Sequence, residues 1–365
     1  MVNRFGLCLL LVFTLVFTAA CTTPSEIVQP GVDATNCHII YDAGSSATRL
    51  FIYQETTSGW LKHKGPHTDP LSDPIRRNRG KSLSDVNAVI ADTLIALDDI
   101  RRDGPPDRNG ETQWYAFDWR RHCNVKSAAV YATAGMRLAE KQDARNSGLL
   151  WERLNKRLGK KLGMDVTTRT LSEYEEGLYA WLALRELKPD GDFGIAEMGG
   201  VSLQVTFPCP SCDNARQVRV KDVIMPVFSH SFIGWGQDEA WKKYRNINAC
   251  SRGAALKIPG WRVDDCEGVL EFEDTAADVK SMVENAEGFQ WYLSSAFRYM
   301  QNTDIENFCR RGINDGFQPE SSCFRAVYLS SVLNTLELMD KSEPTDVSWT
   351  LGAVACTATR CLEVQ

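Results

Sequence analysis

Two stretches of this chain carry the same signature, and together they constrain what it can fold into. In the first, the apolar run His38-Ile39-Ile40-Tyr41 delivers Asp42 into a polar turn, Ala43-Gly44-Ser45-Ser46-Ala47, and Thr48-Arg49 leads into Leu50-Phe51-Ile52-Tyr53. In the second, Phe193-Gly194-Ile195-Ala196 delivers Glu197 into Met198-Gly199-Gly200-Val201, and Ser202 leads into Leu203-Gln204-Val205-Thr206-Phe207. Each reads as strand, tight turn and returning strand. Alone, either is equally an ordinary hairpin, because turn residues occur in any hairpin. Their shared order of apolar run, acid, Gly turn, hydroxyl and apolar run points instead to a duplicated domain with an anion held between the halves.

The turn chemistry fits phosphate. Gly44 is free to take backbone angles that other residues avoid. Successive N–H groups, with the hydroxyls of Ser45, Ser46 and Thr48, make a concave anion site. Asp42, at the strand end, would face a metal ion bridging the phosphates.

At 365 residues the chain is long enough for about two domains. Its net charge is −6 and it has no basic run, which argues against a nucleic-acid partner or an anionic membrane surface. A polyanionic substrate would therefore depend on local N–H groups and a cation rather than on the overall field.

Residues 1–20 read as an export signal: Arg4, an apolar stretch from Leu7 to Phe17, then Thr18-Ala19-Ala20. Cleavage after Ala20 would expose Cys21 as a site for a lipid anchor, in the manner of a bacterial lipoprotein. Thr18 stands where such signals carry Leu, so ordinary cleavage and a retained anchor are the other readings. Residues 21–36 read as a tether. Beyond Cys8 and Cys21, ten cysteines are left, an even number that in an oxidising compartment reads as disulfides. Local pairs Cys209–Cys212, Cys250–Cys266, Cys309–Cys323 and Cys356–Cys361 would leave Cys37–Cys123, although spacing alone does not fix this connectivity. Cys209 and Cys212 could instead be redox-active or half of a zinc site.

Along the chain, residues 62–81 read as an irregular loop, and a helix is expected from Ser82 or Ser84 to about Arg102. A Gly/Pro turn is expected over 103–109, a strand over 127–132, a helix over 138–162, a short strand over 167–171 and a helix over 175–187.

Six segments in order resemble the apyrase family of ectonucleotidases, the nucleoside triphosphate diphosphohydrolases: DAGSSATR at 42–49, YATAGMRL at 131–138, LSEYEEGLYAW at 171–181, EMGGVSLQV at 197–205, SFIGWGQDEAW at 231–241 and WTLGAV at 349–354. The resemblance implies an α/β, actin-like (RNase H-like) duplicated fold with the nucleotide in the cleft between domains. It places a first domain at 37–170, with 346–365 returning to it, and a second at 171–345. It implies an exported hydrolase, expected as a monomer, releasing the terminal phosphate of ATP and other nucleoside triphosphates, with diphosphates open.

Carried onto this chain, the resemblance has the backbone and hydroxyls of Gly44, Ser45, Ser46, Ala47 and Thr48, with Arg49, grip phosphate from one side. Gly199, Gly200 and Val201 would grip it from the other, and Thr133 and Arg137 would contact the same site. Asp42 and Glu197 would hold a divalent cation, Mg2+, Ca2+ or Mn2+, through waters. Glu176 would be the general base; its neighbour Glu175 diverges by about 100° on a helix, so only one of the two faces the cleft. Ser202 and Gln204 alternate on one strand face and would hold the attacking water. For the nucleobase, Trp291, Tyr292, Phe297 and Tyr299 lie in the right part of the chain, but aromatics so spaced also build cores.

The chain departs from the family at Glu197 (for Asp), Ala47 (for Gly), Val201 (for Ala) and Glu173-Tyr174. The extra methylene of Glu197 moves its carboxylate by roughly 1.5 Å, so an unusual metal response is expected. The rival readings are an exopolyphosphatase or guanosine pentaphosphatase, against which Gln204 and the export signal stand, a sugar kinase, and a nucleotide-binding surface lipoprotein without catalysis.

Overall fold

The computed structural model describes residues 34–76, 83–106, 112–250, 260–272, 280–299 except 282, 285 and 287, 304–311, 321–339 and 342–364. The signal over 1–20, Cys8, Cys21 and most of the tether lie outside the described residues.

The apolar runs fold into two sheets. β1 (Thr35–Ala43), β2 (Thr48–Thr56), β3 (Gly59–Lys64), β4 (Arg101–Pro106), β5 (Thr112–Ala116), β6 (Cys123–Ala132) and β7 (Thr167–Thr170) make a seven-stranded sheet in the order β5-β4-β3-β2-β1-β6-β7. β8 (Phe193–Met198), β9 (Ser202–Pro208), β10 (Arg216–Val220), β11 (Val223–Ile233), β12 (Gln290–Ser295) and β13 (Ser342–Pro344) make a six-stranded sheet in the order β10-β11-β9-β8-β12-β13. In the first, β1–β2–β3 is an antiparallel meander, and β6 and then β7 join β1 in parallel. In the second, β8–β9–β11 is the meander, and β12 and then β13 join β8 in parallel. The arrangement β3-β2-β1-β6-β7 thus recurs as β11-β9-β8-β12-β13, with β4, β5 and β10 added at the edges. The two Gly-turn hairpins sit at the centre of their sheets, and this is the duplicated α/β fold expected of the sequence. β1 from Cys37 and β8 throughout are buried, as central strands covered on both faces require.

The helices include α1 (Asp73–Arg76), α2 (Leu83–Ile95), α3 (Trp119–His122), α4 (Ala134–Gln142), α5 (Ala144–Leu162), α6 (Glu173–Leu187), α7 (Gln237–Tyr244) and, near the C-terminal end, Trp349–Thr359. Val86, Val89, Ile90 and Leu94 of α2 share one core with Leu150, Leu154 and Leu158 of α5. The single helix expected over 138–162 is two, because Asp143 breaks the run and caps α5 by accepting from the Asn146 N–H at 3.0 Å. The helix expected to reach Arg102 ends at Ile95, with one 3-10 turn after it. The turn expected over 103–109 begins as strand β4 up to Pro106. The loop expected over 62–81 begins as strand: Lys62 and Lys64 belong to β3, alternating with the buried His63.

A third core lies between the sheets, where α6 packs beside the helix Trp349–Thr359. A Cβ at Gly352 would run into the Tyr179 carbonyl, so glycine sets how closely these helices approach. The Tyr53 hydroxyl of β2 bonds Thr350 at 2.8 Å, tying the same helix to the first sheet. All ten described cysteines pair, as Cys37–Cys123, Cys209–Cys212, Cys250–Cys266, Cys309–Cys323 and Cys356–Cys361. The Cys209–Cys212 bond consumes both thiols, which rules out the zinc reading.

Candidate active site

The carboxyl ends of the central strands meet across one cavity of about 420 Å³, the place where open α/β sheets bind ligands. Asp42 and Glu197 are the next-to-last residues of β1 and β8, β12 ends on Ser295, and Thr133 follows β6; all four line the cavity. Two register pairs repeat between the sheets: Asp42 opposite Arg49, and Glu197 opposite Gln204. The duplication thus puts an acid and its cross-strand polar partner on each wall.

The glycine turns face each other at the cavity's edge. An added Cβ at Gly200 would lie 2.6 Å from Ser45 Oγ and closer still to Asp238. Gly44, Gly199 and Gly200 are absent from the positive-φ glycines; Gly44 and Gly200 serve space, because a Cβ at either would be crowded, while at Gly199 it would meet only an ordinary contact with the Ser202 carbonyl. The second turn is braced by the start of α7: the Gln237 N–H donates to the Gly199 carbonyl at 3.0 Å and the Asp238 N–H to the Gly200 carbonyl at 2.8 Å.

α6 separates the two adjacent glutamates. Ser172 caps the helix by accepting from the Glu175 N–H, and Glu175 accepts from the Ser172 N–H at 2.9 Å in return, the reciprocal capping box. Arg169 clamps the same carboxylate at 2.6 and 2.9 Å. Glu175 is therefore structural. Glu176, one residue on, turns into the cavity with 6 % of its surface exposed.

Behind Glu176 runs a buried polar chain. Arg137 Nη2 donates to Glu176 Oε2 at 2.7 Å and to Ser231 Oγ at 3.2 Å, while Nη1 donates to the Leu171 carbonyl at 3.1 Å. Gln204 Nε2 donates to Ser231 Oγ at 2.9 Å and to Ser202 Oγ at 2.6 Å. Burial pushes the Glu176 carboxyl above its ordinary range, and Arg137 only partly offsets this. Burial likewise raises Asp42, against the opposing Arg49 at 3.3 Å. Glu197 is pushed up to about 8, first by burial and then by the charges of Glu176 and Asp42, against a hydrogen bond from Ser295 Oγ at 2.8 Å. Its second oxygen is buried without a partner among the described residues.

Of the residues expected from sequence, Asp42, Gly44, Ser45, Ser46, Arg49, Thr133, Glu176, Glu197, Gly199, Gly200 and Gln204 line the cavity. The other five, Ala47, Thr48, Arg137, Val201 and Ser202, lie outside its lining. Thr48 spends its N–H on the Thr68 carbonyl at 2.8 Å and its hydroxyl on the Asp69 carbonyl at 3.0 Å, so neither donor is left for phosphate. Val201 and Ser202 are buried, and Arg137 stands behind Glu176. The Gly199 N–H closes the turn on the Ser202 carbonyl at 3.0 Å. Of the four aromatics, Trp291, Tyr292 and Phe297 are core, whereas Tyr299 is exposed and lines the cavity. Sequence reasoning missed Ser295, Lys62, Lys64, His67 and Arg298, which also line it. The alternation Lys62-His63-Lys64 was a legible strand signal; nothing in the sequence singled out Ser295.

Three nearby carboxylates with an orphaned oxygen fit a divalent cation. Among the described residues no three acidic, His or Cys side chains converge tightly enough to cage one directly.

These features agree with comparisons to known proteins. A "Nucleoside-triphosphatase ntp-1" of Caenorhabditis elegans is 24% identical over 95% of this chain and 78% of its own length. A mouse "Ectonucleoside triphosphate diphosphohydrolase 2" is 25% identical over 61% of this chain and 46% of its own, so the chain spans under half of that relative. Among solved structures, a Ppx/GppA family member of Aquifex aeolicus superposes with a TM-score of 0.53 at 14% identity, covering 89% of this chain and 98% of that one. An exopolyphosphatase of Cytophaga hutchinsonii superposes at 0.52 with 12% identity, covering 89% and 98%. At such identities these structures speak for the fold alone, the two-domain actin-like fold. The sequence pattern of the GDA1/CD39 (nucleoside phosphatase) family matches residues 120–343, and this chain belongs to that family.

Proposed function

We propose that this protein is an exported, divalent-cation-dependent nucleotide phosphohydrolase that releases the terminal phosphate of nucleoside triphosphates, with diphosphates as a second substrate class. The observation that carries the reading is Glu176: a buried carboxylate, backed by Arg137, at the floor of a cleft where two glycine turns meet.

In this reading the terminal phosphate sits between the turn of Gly44 to Ser46 and that of Gly200. Gln204 and Glu176 position a water for in-line attack. Glu176 takes its proton as the new O–P bond forms, the bond to the bridging oxygen breaks, and that electron pair leaves on the nucleotide. A carboxyl raised towards neutrality suits a general base. Asp42 and Glu197 would hold the cation, which supplies charge neutralisation at the phosphates. Five disulfides and the ectonucleotidase relatives support an oxidising, exported setting. We assign residues 37–170 with 346–365 to one lobe and 171–345 to the other, a division supported by the two sheets.

The test is phosphate release by the purified, disulfide-bonded protein from ATP and ADP with magnesium, calcium, manganese or chelator. Metal-dependent release is expected, with Glu176→Gln lowering turnover by about 10²–10⁴-fold while ATP still binds. Undiminished turnover in that variant, or indifference to chelator, would overturn the reading.

A further inference from the structure

The cavity is acidic at its floor and basic on one wall. Arg49 on β2, Lys62 and Lys64 on β3, and His67 just beyond line one side. Lys62 and Lys64 are two apart on one strand, so they share a face and stand roughly 7 Å apart along it. They lie opposite Tyr53 and Phe51 of β2, and Phe51 follows Arg49 by two positions, so all three cations point from the same sheet face.

On this wall Arg49 is paired with Asp42 at 3.3 Å, and the two lysines are the incompletely neutralised charges. Lys64 has one distant acid, Asp103 at 3.8 Å, itself half exposed. Arg298, from across the cleft, is paired with Asp346. Burial and then the neighbouring Lys64 hold the Lys62 ammonium below its ordinary range, against the opposing charges of Asp346 and Asp103. Burial and then Arg49 and Lys64 do the same to His67. Like charges gathered in a half-buried row are stabilised by a bound polyanion.

Resting on the function proposed above, we infer that Lys62 and Lys64 form a further phosphate subsite, which favours chains of three or more phosphates over two. The terminal phosphate sits at the turns beside Asp42, the second reaches Arg49 and His67, and only a third or later phosphate lies against the lysines. In a diphosphate the nucleoside occupies that place. The ligand class is a linear polyphosphate anion, whether the phosphates of a nucleotide or inorganic polyphosphate.

The test uses the intact disulfide-bonded protein and the double variant Lys62→Gln/Lys64→Gln, with Lys156→Gln on the exposed face of α5 as control. Loss of two charged contacts should raise KM for ATP and for inorganic tripolyphosphate about tenfold or more, with KM for ADP moving less than about threefold and kcat held. The advantage of triphosphate over diphosphate should also shrink with added salt in the wild type and not in the variant. Calorimetric titration with tripolyphosphate in the absence of turnover reads the same subsite if the protein hydrolyses nothing, so failure of catalysis and failure of this inference are separable. A selective effect on ATP with none on tripolyphosphate would place the lysines against the nucleoside and overturn the proposal. Equal shifts for ATP and ADP, or none, would overturn it too. If the double variant is misfolded, the single variants are read the same way.

Discussion

Arg137 Nη2 lies 2.7 Å from Glu176 Oε2, in an ion pair whose side chains are 10% and 9% exposed. Removing one partner of a buried pair leaves the other charge uncompensated. Glu176 is already raised by burial, with Arg137 opposing, so Arg137→Gln should raise it further. A base that binds its proton more tightly is disabled at neutral pH and recovers as pH rises. The acid limb of the kcat–pH profile should therefore move upward by about one pH unit or more, with Arg137→Lys intermediate. An unmoved limb with a uniformly lower kcat would mean that Arg137 serves only packing.

Glu197 makes metal-free stability depend on pH. Its carboxyl is raised from 4.5 to about 8 in the fold, chiefly by burial. The folded state therefore keeps a proton that the unfolded chain releases, and stability falls as pH rises between those values. In chelator, the melting temperature should drop across this window, and Glu197→Gln should flatten the slope. Magnesium or calcium should restore the most stability at the alkaline end, where the cation no longer competes with that proton. An identical slope in wild type and variant would show that Glu197 is not the group responsible.

The central hairpins were legible because one motif, acid then glycine then hydroxyl, occurs twice between apolar runs, and sheet pairing turns that repetition into two facing walls. The choice between Glu175 and Glu176 was open to the helix period only as an either-or. The capping box of Ser172 explains it, because Glu175 is consumed by the helix start. Thr48 shows the opposite failure. As a hydroxyl beside a phosphate turn it looked available, yet its donors go to Thr68 and Asp69, partners that only the tertiary fold brings near. Lys62 and Lys64 read as loop in the sequence because the Pro- and Gly-rich residues after them dominate the local composition. Ser295 had no signal at all, since its contact with Glu197 spans two parallel strands far apart in sequence.

Gly200 marks the closest approach of the two turns. A methyl there would press on Ser45 Oγ at 2.6 Å and on the Asp238 carboxylate, which is itself held by Arg325 at 2.8 Å. Asp238 cannot easily give way, so Gly200→Ala should displace the turn. A shift of about 1 Å at a reacting centre costs on the order of 10²-fold in rate. We expect kcat/KM for ATP to fall by about that factor, with the urea midpoint nearly unchanged. Wild-type kinetics in this variant would show that the gap between the turns is not where the terminal phosphate is held.

The Cys37–Cys123 bond joins the starts of β1 and β6, at the end of those strands opposite Asp42 and Thr133, and it closes a loop with a separation of 86 residues. The Cys209–Cys212 bond spans only 3. If cross-links act on the entropy of the unfolded chain, the first is worth about 4–5 kcal/mol and the second about 2. The paired variant Cys37→Ser/Cys123→Ser should therefore lose far more stability in urea than Cys209→Ser/Cys212→Ser, while its kcat at 25 °C stays close to wild type, because the strand ends that carry the site remain clamped by the β1–β6 ladder. Equal losses from the two variants would shift the explanation from chain entropy to local packing around each bond. A collapse of kcat in the first, with the fold intact, would mean that strand position at the site depends on the distant cross-link.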